Sequence, residues 1–435
     1  MAQVSSGTFG ARDDSMKKTP LAVVLFIAFV DLVGFGLIIP LQAVYAKRLD
    51  ASGFTLGALI GVYALMQLIF NPILGRWSDR VGRRRVLLIS IAGSALSHTL
   101  LGVGDLARSL PLLFAARILD GITGANVATA QAYIADVTTA ENRARGMGLF
   151  GAAFGLGFVI GPALGGALAL IGRHVSGEAY GTAWPAFGAA AIAAVAFTLV
   201  WRHLPESRPD RPLVSDRLRG LHWAPLREAM RHPRLRELFF LNFTSIFAFV
   251  LLEVSFVYLC AQRFGVAEAG TGMIFAYIGV LMVMVQGGLV GRLVRRFGEA
   301  ALVAAGPFIT AVGFLMLSGI PLPVGQAVAW ALLIVGCVPV SLGHGLTGPN
   351  LNALVSRQAH EDRQGLTLGL SQGIGSLARA IGPLVGGLLY DVAPSWPYWV
   401  GAAVLTLVGL VAVRVRPHQQ RSLAGGASAA SAPYS

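Results

Sequence analysis

Five ionisable side chains lie inside long apolar stretches of this sequence: Asp31, Arg117, Asp120, Glu253 and Arg379. A charged group at membrane depth costs roughly 2.5–3.5 kcal/mol, so it usually faces a cavity or a partner and marks a transport pathway or a binding site. A carboxyl group that is partly removed from water can also take up and release a proton. The five residues therefore predict proton or ligand binding within a membrane.

Asp31 lies about 11 residues into its apolar stretch, roughly 17 Å at 1.5 Å per residue and therefore near the membrane midplane. Phe35, Ile38 and Gln42 share its helical face, and this mixture of aromatic and polar groups suits an amphiphilic ligand. The interpretation is that Asp31 binds a proton or a cationic part of a substrate. The alternative is a structural pairing of Asp31 with a neighbouring helix.

The other four ionisable residues form two predicted pairs. Arg117 and Asp120 are three residues apart in one helix, so each can satisfy the other. Glu253 and Arg379 lie at comparable depths in different helices, and we expect an ion pair between them; a pair that only holds the helices together is the alternative. Glu253 belongs to a stripe spaced by four and three residues, whose other members are Asn242, Ile246, Phe249 and Phe256.

The composition indicates which elements must position these residues. The chain has 435 residues, of which 55% are hydrophobic and 13% charged, and its mean hydropathy is +0.68. Soluble domains contain about 25% charged residues, so a soluble globular protein is excluded. The high apolar fraction also excludes a disordered chain, and the glycines lack the period of three that collagen requires.

Twelve stretches are apolar over about 20 residues, the length that crosses a hydrocarbon core of roughly 30 Å. They are continuously apolar, which favours helices over the alternating strands of a barrel. The sequence therefore predicts an all-α integral membrane protein with 12 transmembrane helices. The stretches lie at 20–46, 56–74, 86–104, 110–135, 146–172, 184–201, 236–260, 270–290, 300–320, 325–355, 365–390 and 395–416.

The net charge of +13 is a topology signal. With the N-terminus inside, most of the 34 lysines and arginines fall on the cytoplasmic side, as the positive-inside rule requires. The exceptions outside are Lys47, Arg48, Arg108, Arg173 and Arg263. We therefore expect a multi-pass protein of a bacterial-type plasma membrane, with both termini in the cytoplasm and with no role in nucleic-acid binding.

Other classes of site find no support in the sequence. Cys260 and Cys337 have neither metal-ligand nor redox spacing, and no phosphate-binding loop joins a strand to a helix. Lys17 and Lys18 precede an apolar run as in a signal peptide, but the run is too long and lacks a cleavage site. We expect no cofactor and no metal, with a small-molecule substrate, protons and the lipid bilayer as partners of a monomer.

Three motifs recur in the same order along the chain. Gly75-Arg76 returns as Gly291-Arg292, Gly121 to Asn126 as Gly345 to Asn350, and Gly161-Pro162 as Gly382-Pro383. Since each half holds six spans, the pattern predicts two six-helix bundles related by a parallel pseudo-twofold repeat, with a substrate site between them near the midplane. The expected divisions are an N-terminal tail at 1–19, bundles at 20–201 and 236–416, a cytoplasmic central loop at 202–235, and a disordered tail at 417–435 rich in Ala, Ser and Gly.

Several motifs of this chain resemble the motifs of a known family, the major facilitator superfamily. The loop from Gly75 through Asp79 to Arg85 is similar to its signature between helices two and three, and Arg117 with Gly121 resembles its fourth-helix motif. The stretch from Gly155 to Gly166 resembles the fifth-helix motif of its antiporters. Three further segments are similar to the tetracycline/proton antiporter branch: 31–40, 132–145 and 204–207.

The resemblance implies roles for two groups of residues. The first is a cytoplasmic gate network, for which ordinary positive-inside charge is the alternative: Gly75, Asp79, Arg80, Gly82, Arg83, Asp136 and Arg143. In the second copy of the loop, Arg295 and Glu299 occupy the positions of Asp79 and Arg83, so only the first copy matches well. The second group is a helix-packing motif, for which Gly287, Gly288 and Gly291 would suit the partner helix: Gly157, Gly161, Pro162, Gly165 and Gly166.

The resemblance implies a proton-coupled exporter of a hydrophobic or amphiphilic drug-like compound, in which Arg117 assists proton transfer at Asp31. Tetracycline exporters of this branch carry aspartates in the third and ninth helices, where this chain has Ser97 and Thr310. The departure bears on recognition of a metal–tetracycline chelate, not on proton-coupled export. The alternatives are a symporter that imports a sugar or an organic anion, and a membrane scaffold or membrane enzyme; the fifth-helix glycines argue against the symporter.

Overall fold

The computed structural model of the protein describes residues 18–49, 51–124, 126–138, 140–177, 180–207, 224–266, 268–358 and 364–430. All regular secondary structure in these ranges is helical. Near-continuous apolar sequence explains this, because a backbone surrounded by lipid must satisfy its hydrogen bonds within each helix.

The first half contains the helices α1 to α7. A single turn of 3₁₀ helix, Gly181–Ala183, precedes the last of them. Their bounds are α1 Lys18–Arg48, α2 Gly53–Val81, α3 Arg83–Leu106, α4 Leu110–Thr123, α5 Asn126–Val137, α6 Ala140–Ser176 and α7 Trp184–His203.

The second half follows the short helix α8, Ala224–Arg231, which lies within the predicted central loop. A π-helical turn, Val285–Leu289, separates α10 from α11. The bounds are α9 Pro233–Phe264, α10 Glu268–Met284, α11 Val290–Phe297, α12 Glu299–Ser318, α13 Gln326–Gln358, α14 Gln364–Val392 and α15 Trp396–Ala430.

Ten helical stretches in the described ranges are long and apolar enough to cross a membrane. The other two expected spans correspond to α1, whose described apolar part is Leu21–Gly34, and to α4 with α5. The fold is thus an all-α membrane fold consistent with 12 spans. The expected span 110–135 is broken, because α4 ends at Thr123 and its C-cap is Gly124, a residue of low helix propensity. The last helix continues to Ala430, past residue 416.

Three glycines of α6 pack against α1 within the first half. A Cβ atom on Gly161 would lie 2.8 Å from the Cα atom of Gly36, and Gly157 and Gly165 meet the backbone near Leu32 and Leu37 in the same way. Small residues let two helical backbones approach closely in a membrane. The helix-packing motif therefore joins α6 to α1 along one face.

The two halves meet through α2 with α14 and through α6 with α10. Gly57 lies against the backbone of Pro383, and Gly53 lies against Gly387. On the other side, Gly272 contacts Pro162. These contacts lie where α2 begins and α14 ends, which we call the closed end. The prediction that Gly287, Gly288 and Gly291 form the partner surface for α6 is wrong, because a Cβ atom at each would meet no described atom within 4 Å. Gly272 and Gly279 of the same transmembrane stretch contact α6 instead.

At the opposite end, which we call the open end, the same helical faces meet no described residue at two glycines. Gly75 follows Gly57 by 18 residues, which is five helical turns and returns to the same face of α2. Gly369 precedes Gly387 by the same interval on α14. A Cβ atom at Gly75 or Gly369 would meet no described atom within 4 Å. The halves therefore touch at the closed end and diverge toward the open end.

Candidate functional site

Arg117 and Asp120 form the predicted contact in α4. An Nη atom of Arg117 lies 3.3 Å from a carboxylate oxygen of Asp120. Both side chains are buried, and Arg117 is only 1% exposed. A buried ion pair needs further hydrogen bonds to offset the loss of hydration.

Asp120 finds those partners on α3. The Ser97 hydroxyl donates to Asp120 at 3.0 Å, and Nδ1 of His98 lies 3.8 Å from the same carboxylate. The distance between the Ser97 oxygen and Nδ1 of His98 is 3.1 Å. Sequence reasoning missed this assembly. The available signal was that Ser94, Ser97 and His98 lie three and four residues apart on one helical face.

Arg117 also reaches α2. Its guanidinium carbon lies 4.4 Å from the centre of the Tyr63 ring, in cation–π geometry. Gln67 donates to the Tyr63 hydroxyl at 2.7 Å. Nε and one Nη atom of Arg117 are buried and have no hydrogen-bond partner among the described residues. One guanidinium nitrogen therefore bonds Asp120, and the other two bond no described group.

Asp31 approaches this cluster from α1. It lines a small cavity of about 20 Å³ together with Gly34, Ser94, His98 and Ala193, which come from α1, α3 and α7. A cavity of this size has room for a water molecule. Asp31, Asp120 and Arg117 all act electrostatically on Tyr63. The structure thus brings three of the five predicted residues into one polar region of the first half.

Glu253 and Arg379 face the same central region from the second half. Arg379 exerts the largest opposite charge at Glu253, and Arg117 exerts the next. Arg379 is exposed, and within the described residues no direct salt bridge joins it to Glu253. The expected ion pair is therefore an electrostatic interaction at longer range. His344 stacks on Phe249 at 3.9 Å beside them.

At the open end, Arg83 lies 3.2 Å from Asp136 and donates to Ser78 at 2.5 Å. The Ser207 hydroxyl also donates to Asp136, at 3.2 Å. These contacts join three of the helices that end there. The side chains of three predicted site residues lie outside the described part of the chain: Gln42, Asp79 and Arg143.

The segment 204–207 contacts the start of α3 in this region. The Glu206 carboxylate accepts hydrogen bonds from the backbone N–H groups of Arg83, at 2.8 Å, and Arg84, at 3.2 Å. It thereby caps α3, which follows Gly82 in a left-handed conformation with φ of 101°. A carboxylate at a helix N-terminus satisfies unpaired N–H groups and complements the helix dipole.

The second half has a corresponding ion pair with reversed charges. Glu299 and Arg357 are 2.8 Å apart. Glu299 occupies the position of Arg83, and Arg357 follows Asp136 by 221 residues, the interval that separates Gly161 from Gly382. The ion pair of the second copy therefore lies at the same positions of the repeat as Arg83 and Asp136, although its charges are reversed.

The closed end has a polar contact of its own. The Asp391 carboxylate accepts from the backbone N–H groups of Gly53, at 2.8 Å, and Phe54, at 3.0 Å, so α14 caps α2 across the two halves. Tyr258 stacks on Tyr390 at 5.2 Å beside this contact. Sequence reasoning missed Asp391, because nothing in the local pattern indicates which helix it meets.

Comparison with known proteins decides the family. The sequence model of the Major Facilitator Superfamily matches residues 24–383 and, in a second match, 330–434. The chain belongs to this superfamily. It is 32% identical to the tetracycline resistance protein, class C, of Escherichia coli over 91% of this chain and 96% of that protein. It is 29% identical to multidrug resistance protein 2 of Bacillus subtilis (strain 168) over 91% and 94%.

Solved structures of other facilitators share the fold. The human organic anion transporter MFSD10 (TETRAN) superposes with a TM-score of 0.66 at 25% identity, over 91% of this chain and 99% of that one. A bacterial homologue of the human lysosomal transporter Spinster, inward-facing and occupied, gives a TM-score of 0.70 at 15% identity, over 93% and 96%. The arrangement of two bundles is thus that of the major facilitator fold.

The structure describes both residues that the resemblance sets against family aspartates, Ser97 and Thr310. Ser97 is a member of the buried cluster around Asp120. Thr310 is buried in α12, where its hydroxyl donates to the carbonyl of Gly306 at 3.0 Å. Neither side chain can supply a carboxylate. Among the described residues, no three histidine, cysteine or carboxylate groups come together as metal ligands do.

Proposed function

We propose that this facilitator is a proton-coupled secondary transporter that exports a hydrophobic or amphiphilic drug-like compound by alternating access. One observation carries the proposal: charged residues of both halves face a common central region, where the halves touch at one end and diverge at the other. A rocking motion of the halves would expose that region to each side of the membrane in turn.

The relatives support the direction of transport and the substrate class. The class C protein is named for tetracycline resistance, and multidrug resistance protein 2 for resistance to several drugs. Each covers about nine tenths of this chain, so both bundles and the central loop are included. An exporter is the simplest protein that confers resistance without modifying the compound.

The charge distribution supports the orientation. Lysines and arginines concentrate in the loops on the side of the open end, and this bias supports a cytoplasmic location for that end and for both termini. The location proposed is the plasma membrane of a bacterium. One chain contains both halves, so a monomer would form a whole pathway. The compound would then enter from the cytoplasm or the inner leaflet.

The proton step is assigned to Asp31 and the cluster around Arg117. A membrane potential of about 100 mV contributes about 2.3 kcal/mol per proton, and one pH unit contributes about 1.4 kcal/mol. One proton therefore drives a substrate gradient of several hundred-fold. Glu253 and Arg379 would bind polar parts of the compound from the opposite half, with Gln42 as a further candidate.

The pair Arg83 and Asp136 is assigned to the gate, with Gly75, Asp79, Arg80, Gly82 and Arg143 as the other members. Its contacts join the ends of α2, α3 and α5 at the open end. Such a network would stabilise one orientation of the halves. The alternative, plain positive-inside charge, gives no reason for a buried carboxylate at Asp136.

A second candidate function is transport of an organic anion. Arg379 is an exposed cation at the central region, and the similar human protein is called an organic anion transporter. A cation without a direct salt bridge suits a carboxylate or sulfonate of a substrate. This candidate predicts that Arg379→Gln abolishes transport of anionic probes and spares cationic ones.

The test is a drug-susceptibility panel in an efflux-deficient bacterial host. Wild type, empty vector, Asp31→Asn and a control, Glu237→Gln, are compared at equal membrane abundance. Glu237→Gln removes a carboxyl group at the start of α9, away from the central region. We expect wild type and the control to raise the inhibitory concentration of at least one compound, and Asp31→Asn to match the vector. If no compound separates wild type from the vector, the proposal of an exporter fails.

A further inference from the structure

We propose that His98 is a second proton-binding site of this transporter and exchanges a proton with Asp31 through the small cavity between α1, α3 and α7. The inference rests on the proposed function, which supplies the proton gradient. It adds a residue and a route that the roles assigned above do not contain.

The first step is the orientation of the imidazole ring. Nδ1 of His98 faces the Ser97 hydroxyl oxygen at 3.1 Å and the Asp120 carboxylate at 3.8 Å. Ser97 has a single hydroxyl proton, and both the Asp120 carboxylate, at 3.0 Å, and the Ser94 carbonyl, at 2.9 Å, accept it. Nδ1 therefore carries the hydrogen and donates toward these oxygens. Nε2 is left with a free lone pair, which is the basic position of the neutral ring.

The second step is the direction in which Nε2 points. A Cβ atom built on Gly34 would lie 3.0 Å from Nε2, so this nitrogen faces α1 where the glycine leaves room for it. Asp31 precedes Gly34 by three residues and lies on the same helical face. Asp31 and His98 both line the cavity of about 20 Å³, which has space for one bridging water.

The third step concerns the hydrogen bonds of the His98 ring. A buried histidine that only packs has both ring nitrogens hydrogen-bonded in most proteins. His98 is 6% exposed, and the polar contacts that its ring makes with Ser97 and Asp120 are both at Nδ1. A water in the cavity can donate to this nitrogen and also contact the Asp31 carboxyl group. This water would complete the path between the two residues.

Charged groups face the ring from two helices. Asp31 faces it from α1, and Asp120 with its partner Arg117 faces it from α4; the lining that α7 contributes consists of alanines. In the transfer, the Asp31 O–H bond breaks, a proton passes through the water, and an N–H bond forms at Nε2. Asp31 becomes a carboxylate again, and the imidazolium lies between two carboxylates. The reverse transfer restores both groups.

This transfer also affects Arg117. An imidazolium attracts the Asp120 carboxylate, for which Arg117 competes at 3.3 Å. The guanidinium already has two nitrogens without described partners, and its charge acts at Glu253 in the opposite half. Protonation of His98 would therefore weaken the contact of Arg117 with Asp120 and strengthen its interaction across the central region.

The experiment uses the full-length protein in liposomes, with tetracycline and ethidium as probes. One assay measures accumulation driven by a pH gradient. The other measures exchange of labelled for unlabelled probe at equal pH, which requires substrate binding and alternating access but no net proton transfer. The variants are His98→Gln and the matched control His203→Gln, whose side chain is exposed at the end of α7.

We expect His98→Gln to lower gradient-driven accumulation at least tenfold and to keep exchange within twofold of wild type, while His203→Gln retains both. The dependence of accumulation on pH should also flatten in His98→Gln. Wild-type accumulation in His98→Gln overturns the proposal. Loss of both activities by a folded protein overturns it as well, since His98 would then serve packing or substrate binding.

A second variant covers the case in which His98→Gln is not recovered in folded form. Gly34→Ala keeps the histidine and displaces Nε2 from α1, so it should reduce accumulation and retain exchange; accumulation equal to wild type would contradict the route. If wild type accumulates neither probe under a pH gradient, the proposed function fails and this inference fails with it. If wild type is active and both variants accumulate the probes as wild type does, only the inference fails.

Discussion

The two halves of this transporter place an ion pair at the same point of the repeat and give it opposite polarity. In the first half, Arg83 begins α3, and the carboxylate of Glu206 caps that helix from the segment after α7. In the second half, Glu299 begins α12 and is itself the acidic residue of the first turn. A helix N-terminus favours negative charge. The first half can therefore place an arginine there because another residue supplies the acid.

The pairs also differ in exposure. The side chains of Arg83 and Asp136 are 8% and 4% exposed, whereas those of Arg357 and Glu299 are 54% and 12% exposed. A partly exposed pair is screened by water and contributes little, while breaking a buried pair leaves an unpaired buried charge. Loss of one partner should therefore cost the first half more than the second.

The largest expected effect concerns helix contact. Gly161→Val should prevent folding or abolish transport, because the new side chain meets the backbone of Gly36. Gly382→Val should be tolerated better, because its Cβ atom would lie 3.1 Å from Cβ and Cγ1 of Val250 and 3.5 Å from the carbonyl oxygen of Phe247, which is a looser fit than at Gly161. The yield of monodisperse protein and probe efflux measure both. Ala163→Val, on the exposed face of α6, is the control, and equal damage by the two glycine variants would contradict the contrast.

The next contrast separates stability from transport. Asp120→Asn leaves the Arg117 guanidinium buried without a carboxylate and should lower the free energy of unfolding by about 3–5 kcal/mol. Glu253→Gln removes a group that has no direct salt bridge to Arg379, so it should leave the thermal unfolding midpoint nearly unchanged and reduce efflux at least tenfold. Thermal unfolding in detergent and efflux from cells measure these effects. Unchanged efflux would remove Glu253 from the mechanism.

The two ion pairs, Arg83 with Asp136 and Glu299 with Arg357, should differ in the free energy of unfolding that is lost when the arginine is removed. Arg83→Ala should cost about 3–5 kcal/mol of unfolding free energy, as expected for a buried pair. Arg357→Ala should cost about 0–1 kcal/mol, as expected for an exposed pair. Chemical denaturation in mixed micelles measures both. Costs that agree within error would mean that burial does not distinguish the two pairs.

The smallest effect concerns the cap. Glu206→Ala removes the acceptor for two N–H groups at the start of α3 and should cost about 1 kcal/mol, the usual loss for a helix cap. A second change, Arg83→Glu, places an acid in the first turn of α3, as in the second half. We expect it to recover part of the cap but to repel Asp136, so the double variant remains less stable than Glu206→Ala. Greater stability of the double variant would mean that the new cap outweighs the repulsion from Asp136, whereas unchanged stability of Glu206→Ala would refute the role given to Glu206.

Much of this architecture follows from the sequence because its cause is local. Apolar length predicts each span, and the recurring glycine motifs predict the repeat. Partner choice is not local: Gly287 and Gly279 lie on one transmembrane stretch, and only the meeting of α6 with α10 near the closed end selects Gly279. The assembly of His98 with Asp120 likewise depends on which helices become neighbours.

The carboxylate of Asp391 has a consequence for the speed of the transport cycle. It joins the halves through two backbone N–H groups, and its own side chain is exposed. When the closed end separates, water can replace both hydrogen bonds at once, so no buried charge is stranded in the transition state. The activation barrier of this step is therefore lower than a buried ion pair at the same place would impose, and turnover can be limited by other steps of the cycle.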